Sequence, residues 1–264
     1  MKEYIWQFIL TGILSYFIGN INFAVIISKS VKHEDIRMHG SGNPGTTNMM
    51  RVFGLKYGAL TLACDMVKGI IPVIASYFIY KCVTDNNAEI YRFAMYLAAL
   101  CATVGHVFPV FMKFKGGKGF ATSVGVLLAI QPVPTLIILA IGFIIILICD
   151  RMSVFALFYV SAELAFHILA YFGLFKEVLL VSHAVTLPML IIVCLFWVLV
   201  VFAHRSNIIR LLRGKESPSG LRKSLLRLGK KHNKQQDDTT QSSQNSQDND
   251  GSTQNIDDAS KKSE

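Results

Sequence analysis

The chain has 264 residues, 52% of them hydrophobic and only 16% charged, with a mean hydropathy of +0.45 and a formal net charge of +9. An average soluble domain carries roughly 25% charged residues, so the composition excludes an ordinary soluble enzyme. The cations lie between and after apolar blocks, with no base-stacking aromatics interleaved. That placement suits anionic lipids or phosphorylated substrates and argues against nucleic acid.

Several apolar blocks are long enough to cross ~30 Å of hydrocarbon at ~1.5 Å per residue. They predict an all-α, polytopic integral membrane helical bundle. The first block covers about 4–27 and ends without an A-x-A-like cleavage site. Asn20 and Asn22 near its inner end serve either a neighbouring helix or a substrate. Residues 28–56 are polar and basic, and contain Gly40-Ser41-Gly42-Asn43-Pro44-Gly45-Thr46-Thr47-Asn48. This is a dense run of turn formers and short hydrogen-bonding side chains. It should lead into an interfacial helix at 49–53, capped by Thr46, Thr47 or Asn48.

The second block, about 57–80, carries Asp65 and Lys68 on one helix face. Ionisable groups at that depth are either a structural pair or part of a site. A polar loop at 81–91 precedes the third block, 92–112, which ends in Gly105-His106-Val107-Phe108-Pro109. His106 is expected to support the loop that follows.

That loop, Lys113-Phe114-Lys115-Gly116-Gly117-Lys118-Gly119, is the stretch around which the chain is organised. Glycines let a backbone turn tightly and let a ligand approach its amides, and successive N–H groups can form an anion-binding concavity. An apolar run begins at Phe120, so the loop should feed a helix N-terminus, where orphan N–H groups and the dipole favour phosphate. It is not a Walker A loop: Met112 stands where the first glycine belongs, and Gly119 follows Lys118. An ATPase reading has no support.

Residues 120–149 are too many for one comfortable span and are interrupted by Gln131, Pro132 and Pro134. Two pieces are expected, with a break near Gln131. The first piece is either a short tilted span or one arm of a re-entrant hairpin. Blocks at about 153–172, with Glu163 and His167, and 184–203 complete the bundle. The basic segments 28–56, 113–119 and 205–234 fall on one side only if 120–149 counts as two pieces. The positive-inside rule then predicts seven membrane-embedded segments, N-terminus out and C-terminus in.

The segment 204–216 reads as an interfacial amphipathic helix. That reading accounts for Arg210 and Arg213 and leaves His204 and Asn207 one turn apart at the membrane boundary. Residues 217–234 form a basic cytoplasmic segment, and 235–264 a polar tail too poor in apolar residues to fold. The five cysteines form no C-x-x-C pair and no metal constellation stands out, so neither a metal nor a cofactor is expected.

Three motifs thus converge on one face. G-S-G-N-P-G-T-T-N-M-M-R-V-F-G (40–54), G-H-V-F-P-V-F-M-K-F-K-G-G-K-G-F-A-T (105–122) and H-R-S-N-I-I-R-L-L-R-G-K-E (204–216) resemble those of the PlsY family of bacterial acyl-phosphate:glycerol-3-phosphate acyltransferases. The resemblance includes D-M-V-K-G (65–69) and covers about residues 1–216. It departs from the family at Asn20-Ile21-Asn22, where Ser-Ile-Pro is common, and in the added tail.

The resemblance implies transfer of an acyl group from acyl phosphate to the 1-hydroxyl of sn-glycerol 3-phosphate, giving lysophosphatidate and inorganic phosphate. The site would lie at the cytoplasmic face of the bacterial cell membrane, with a functional link to an acyl-phosphate-forming enzyme. It makes Ser41, Arg51, His204 and Asn207 catalytic, and Gly116, Gly117, Lys118 and Gly119 phosphate ligands. Asn43, Asn48, Lys113, Thr122 and Arg205 join the substrate-binding set, and Lys68, His106 and Glu216 complete the candidates. Phosphate is a good leaving group and no G-x-S-x-G appears, so direct transfer is expected, with Ser41 as a hydrogen-bonding group. The general base is either His204 or the donor's own phosphate. The competing class is an organophosphate transporter, which needs access from both faces.

Overall fold

The computed structural model describes residues 2–174, 185–221 and 226. The chain divides into two units, Met1–Gly220 and Leu221–Glu264. The connection around Lys176, the basic segment beyond 221 and the polar tail at 235–264 lie outside the described residues, apart from Leu226.

Every regular element among the described residues is helical. The first apolar block is two helices rather than one, α1 (Ile5–Asn20) and α2 (Phe23–Lys32). The reason is Asn22, whose Oδ1 accepts from Val25 N at 3.0 Å and so caps α2. Its Nδ2 donates to Pro44 O at 3.2 Å, so this break also holds the glycine-serine loop. The interfacial helix α3 (Thr46–Phe53) starts three residues earlier than expected. Gly45 occupies its N-cap and has no side chain to offer, and the expected caps Thr46, Thr47 and Asn48 all lie inside the helix.

The long α4 (Leu55–Val83) contains Pro72, and α5 (Ala88–Val107) is capped by Asn87. α6 (Phe120–Ile130) and α7 (Pro132–Cys149) are separated at Gln131, the break expected there. Glu163 of α8 (Met152–Tyr171) accepts from Gln131 Nε2 at 2.7 Å and from Thr135 Oγ1 at 2.9 Å, satisfying the polar groups this break exposes. His167 on the same helix accepts a hydrogen bond from the Tyr96 hydroxyl at 3.0 Å. α9 (Leu187–Ala203) and α10 (Arg205–Leu212) follow, bent by 59° at His204.

Five stretches are long and apolar enough to cross a membrane, and a sixth if the bent pair α9–α10 counts as one. α6, at 11 residues, is apolar but shorter than a span. α1 and α4 pack on α5, α6 lies against α4, and α8 and α9 close the bundle. Lipid-like surroundings supply little drive between apolar helices, so close approach through small residues matters. A Cβ on Gly105 would sit 2.1 Å from Tyr16 O where α1 crosses α5, and one on Gly125 would sit 2.2 Å from Met66 O where α6 crosses α4.

The buried pair Asp65 and Lys68 has a structural task. Lys68 Nζ lies 2.7 Å from Asp65 Oδ1 and donates to Ile21 O at 2.5 Å, in the break between α1 and α2. The helix interruption and the buried ammonium satisfy each other.

Candidate active site

The three motifs meet around one cavity of ≈ 120 Å³. From the first motif it takes Ser41, Asn43, Asn48 and Arg51; from the second, His106, Lys118 and Gly119; from the third, His204, Asn207 and Glu216. Apolar side chains join the lining at Phe120, Met152 and Ala156, and Asp65, Ser153 and Arg210 add further polar groups.

The first loop is built around Asn48. Its Oδ1 accepts from Ser41 N at 2.9 Å, and its Nδ2 donates to His39 O at 2.9 Å and Ile36 O at 3.3 Å. The amide is therefore engaged within the loop, and it positions Ser41 instead of presenting a donor to phosphate. Arg51 donates to Pro218 O at 2.8 Å and Ser217 O at 3.2 Å, reaching across to the segment after α10.

The glycine loop works differently from the expectation. Gly116 N donates to Val107 O at 3.2 Å and Gly117 N to His106 O at 3.1 Å. These two N–H groups satisfy orphan carbonyls at the end of α5 and do not form an anion nest. The glycines are required for approach: a Cβ on Gly117 would meet His106 Nε2 at 2.2 Å, and one on Gly116 would meet His106 O at 2.1 Å. The loop thereby delivers the N-terminus of α6 to the cavity, where Lys118, Gly119, Phe120 and Ala121 line it. His106 meets the loop through its carbonyl, which accepts from Gly117 N, and through its ring, which packs against Gly117.

One hydrogen-bonded chain joins the second and third motifs. Lys118 Nζ donates to Asn207 Oδ1 at 2.5 Å, and Asn207 Nδ2 donates to Glu216 Oε1 at 2.7 Å. Glu216 also accepts from Ser153 Oγ at 2.8 Å and Arg210 Nε at 3.1 Å. Burial pushes the Glu216 carboxyl up, but these three donors outweigh it and hold the group below the usual range. Burial, with Arg210 and Arg51 nearby, pulls the Lys118 ammonium down to about 8, against the opposing pull of Glu216. His204 Nδ1 lies 2.9 Å from Val200 O. A carbonyl only accepts, so Nδ1 carries the hydrogen and the neutral ring keeps Nε2 as an acceptor.

Not every candidate arrives. Thr122 is fully buried against Gly69 in the α4–α6 contact. Lys113 is exposed outside the cavity, and Lys68 stands behind Asp65. Arg205 turns away to donate to Phe202 O at 3.2 Å, with its guanidinium 4.5 Å from the Phe202 ring centroid. The cation that α10 contributes is Arg210, which the amphipathic-helix reading had accounted for without a place in the site. Ser153, outside all three motifs, was also missed; only its place after the Asp150-Arg151 turn hinted at a helix start near the face of the site.

A helical membrane bundle whose polar loops close on an anion-suited, half-apolar cavity defines a class: a membrane enzyme handling a phosphorylated and a lipid-like reactant. The family model for glycerol-3-phosphate acyltransferase matches residues 9–214, and the chain belongs to that family. It is 34% identical to the glycerol-3-phosphate acyltransferase of Clostridioides difficile (strain 630), over 83% of this chain and 98% of that one. It is 39% identical to that of Thermoanaerobacter sp. (strain X514), over 80% and 96%. Its fold is similar to the crystal structure of PlsY, an integral membrane glycerol 3-phosphate acyltransferase, in its glycerol 3-phosphate form, with a TM-score of 0.67 and 30% identity over 80% of this chain and 95% of that one. The lysophosphatidic acid form of PlsY gives 0.64 and 29% over the same shares.

Proposed function

We propose that this protein transfers an acyl group from acyl phosphate to the 1-hydroxyl of glycerol 3-phosphate, at the cytoplasmic face of a bacterial cell membrane. The observation that carries the reading is the single cavity shared by Ser41, Arg51, Lys118, His204 and Asn207, with an apolar wall at Phe120, Met152 and Ala156. The cations offset the repulsion between two phosphates, and the apolar wall receives the donor's chain.

The hydroxyl oxygen attacks the acyl carbonyl carbon, the bond from that carbon to the phosphate oxygen breaks, and the hydroxyl proton ends on the departing phosphate. Holding the two reactants in contact supplies much of the acceleration. Orphan N–H groups at the start of α6 meet the charge that develops on the carbonyl oxygen. Among the described residues no histidine hydrogen-bonds the Ser41 hydroxyl, which favours a hydrogen-bonding role for Ser41 over a nucleophilic one. His204 Nε2, an acceptor, orients the attacking hydroxyl, and the donor's phosphate takes the proton.

The test uses purified protein, acyl phosphate and labelled glycerol 3-phosphate. Lysophosphatidate should form without acyl-CoA or acyl carrier protein. Product formed only when a thioester donor is added would refute the proposed donor.

A further inference from the structure

Beyond α10 the chain turns at Gly214, with a φ of 65°, and residues 216–219 are then tied to α8, α3 and the end of α7 in succession. Glu216 accepts from Ser153 Oγ at the start of α8. The carbonyls of Ser217 and Pro218 accept from Arg51 Nη2 at 3.2 and 2.8 Å. Ser219 is latched twice to Asp150, which ends α7: its N donates to Asp150 O at 2.7 Å and its Oγ to Asp150 Oδ1 at 2.5 Å. We infer that this strap aims Arg51 at phosphate, and that Asp150 and Ser219 are the positioning residues that hold the strap. The inference rests on the phosphate-facing role proposed for Arg51 above.

The first argument is what Arg51 needs. It is exposed, in the last turn of the eight-residue helix α3. A long exposed side chain samples many rotamers, and ordering it on a ligand costs conformational entropy. Two carbonyls on one Nη2 fix the guanidinium plane before a ligand arrives, which lowers that cost. Among the described residues Arg51 Nε and Nη1 make no hydrogen bond, so their N–H groups remain for a phosphate.

The second argument is the build of the strap. A loose loop would move with the side chain and brace nothing. Pro218 fixes its own φ and restricts Ser217 before it. Ser219 is fully buried, and its hydroxyl meets a carboxylate, a bond about twice as strong as one between neutral groups. Asp150 is itself held, with its N donating to Ile146 O at 2.8 Å and its φ at 48°, a conformation that Asp and Asn tolerate. Neither Asp150 nor Ser219 lines the cavity. Their path to it is one residue long, since Pro218, next to Ser219, carries the shorter of the two bonds to Arg51.

The test is a double-mutant cycle on the full-length protein, read as the initial transfer rate with both reactants well below KM. Losing a hydrogen bond to a charged group corresponds to about tenfold or more, so Ser219→Ala should lower this rate about tenfold. Asp150→Asn keeps an acceptor oxygen and the left-handed backbone, and should cost about threefold or less. In an Arg51→Lys background no guanidinium is left to aim, and Ser219→Ala should cost less than about twofold. An unchanged rate in Ser219→Ala overturns the inference. So does an equal loss in both backgrounds, because a latch that only stabilises the fold acts without Arg51. A faster Ser219→Ala enzyme would mean that the strap withholds Arg51, and overturns it too.

Where Arg51→Lys turns over too slowly, calorimetric titration with glycerol 3-phosphate and with inorganic phosphate reads the same cycle as dissociation constants. It also separates the latch from the proposed donor. Weakening of either anion in Ser219→Ala that disappears in the Arg51→Lys background supports the latch even if acyl phosphate proves not to be the donor. Equal binding by all variants, or none by the parent protein, refutes the latch and leaves the transferase reading standing.

Discussion

Lys118 and Asn207, 89 residues apart in the chain, are joined by a 2.5 Å hydrogen bond from the ammonium to the carboxamide oxygen. The bond ties the glycine loop to α10, and Glu216 holds the other end of Asn207. The Lys118 ammonium is thus positioned by a side chain from the far end of the bundle, and, on the proposed phosphate-binding role, its protonation is a lever on activity.

The ammonium titrates near 8 instead of 10.5, because burial and neighbouring cations disfavour the charged form. Phosphate binding needs that charge. As pH rises through about 8, the free enzyme loses it and kcat/KM for glycerol 3-phosphate should fall. On the acid side the limb belongs to the substrate, whose second phosphate pKa lies near ~6. Lys118→Arg stays charged above pH 12 and should abolish the alkaline limb. A limb that survives in this variant, measured across pH 6–10, assigns it to another group.

His204 is expected to orient and not to titrate. Glutamine retains a hydrogen-bonding amide but has no proton to exchange near neutrality. His204→Gln should keep kcat within about tenfold of the parent, and His204→Ala should lose more. General base catalysis contributes about 10²–10⁴-fold, so a loss of 10² or more in the glutamine variant, read from initial rates, makes His204 the base.

The Asp65–Lys68 pair should reveal itself in stability more than in chemistry. Both side chains are about 2% exposed, so Lys68→Met leaves a buried carboxylate without its cation. Breaking such a pair costs about 3–5 kcal/mol, whereas replacing both partners is often tolerated. Lys68→Met should lower the unfolding temperature in detergent, and Asp65→Asn with Lys68→Met should restore most of it. Additive losses in the double variant would show that the two residues act separately.

Much was legible in the amino-acid order. Blocks of apolar residues longer than a bilayer is thick admit only helices, because backbone polar groups find no partner in hydrocarbon. Gln131 and Pro132 marked a break, and the structure breaks there. The three polar motifs announced their shared task through glycines, hydroxyls and cations, and the family follows from them.

What the order of residues left open was which atoms face the cavity. Gly116 and Gly117 read as phosphate ligands from their type, yet their N–H groups close the end of α5, since a carbonyl only tertiary packing brings near was already waiting. Arg205 and Arg210 are alike in sequence, but five residues apart on α10 they leave the helix in different directions, one to Phe202 and the other to Glu216. Local composition determined that this chain would fold as helices in a membrane and that its polar, glycine-rich and basic residues would fall in a few segments between them. Donor direction depends on rotations about helix axes, which are set by contacts between residues tens of positions apart, and the assembled bundle alone decides it.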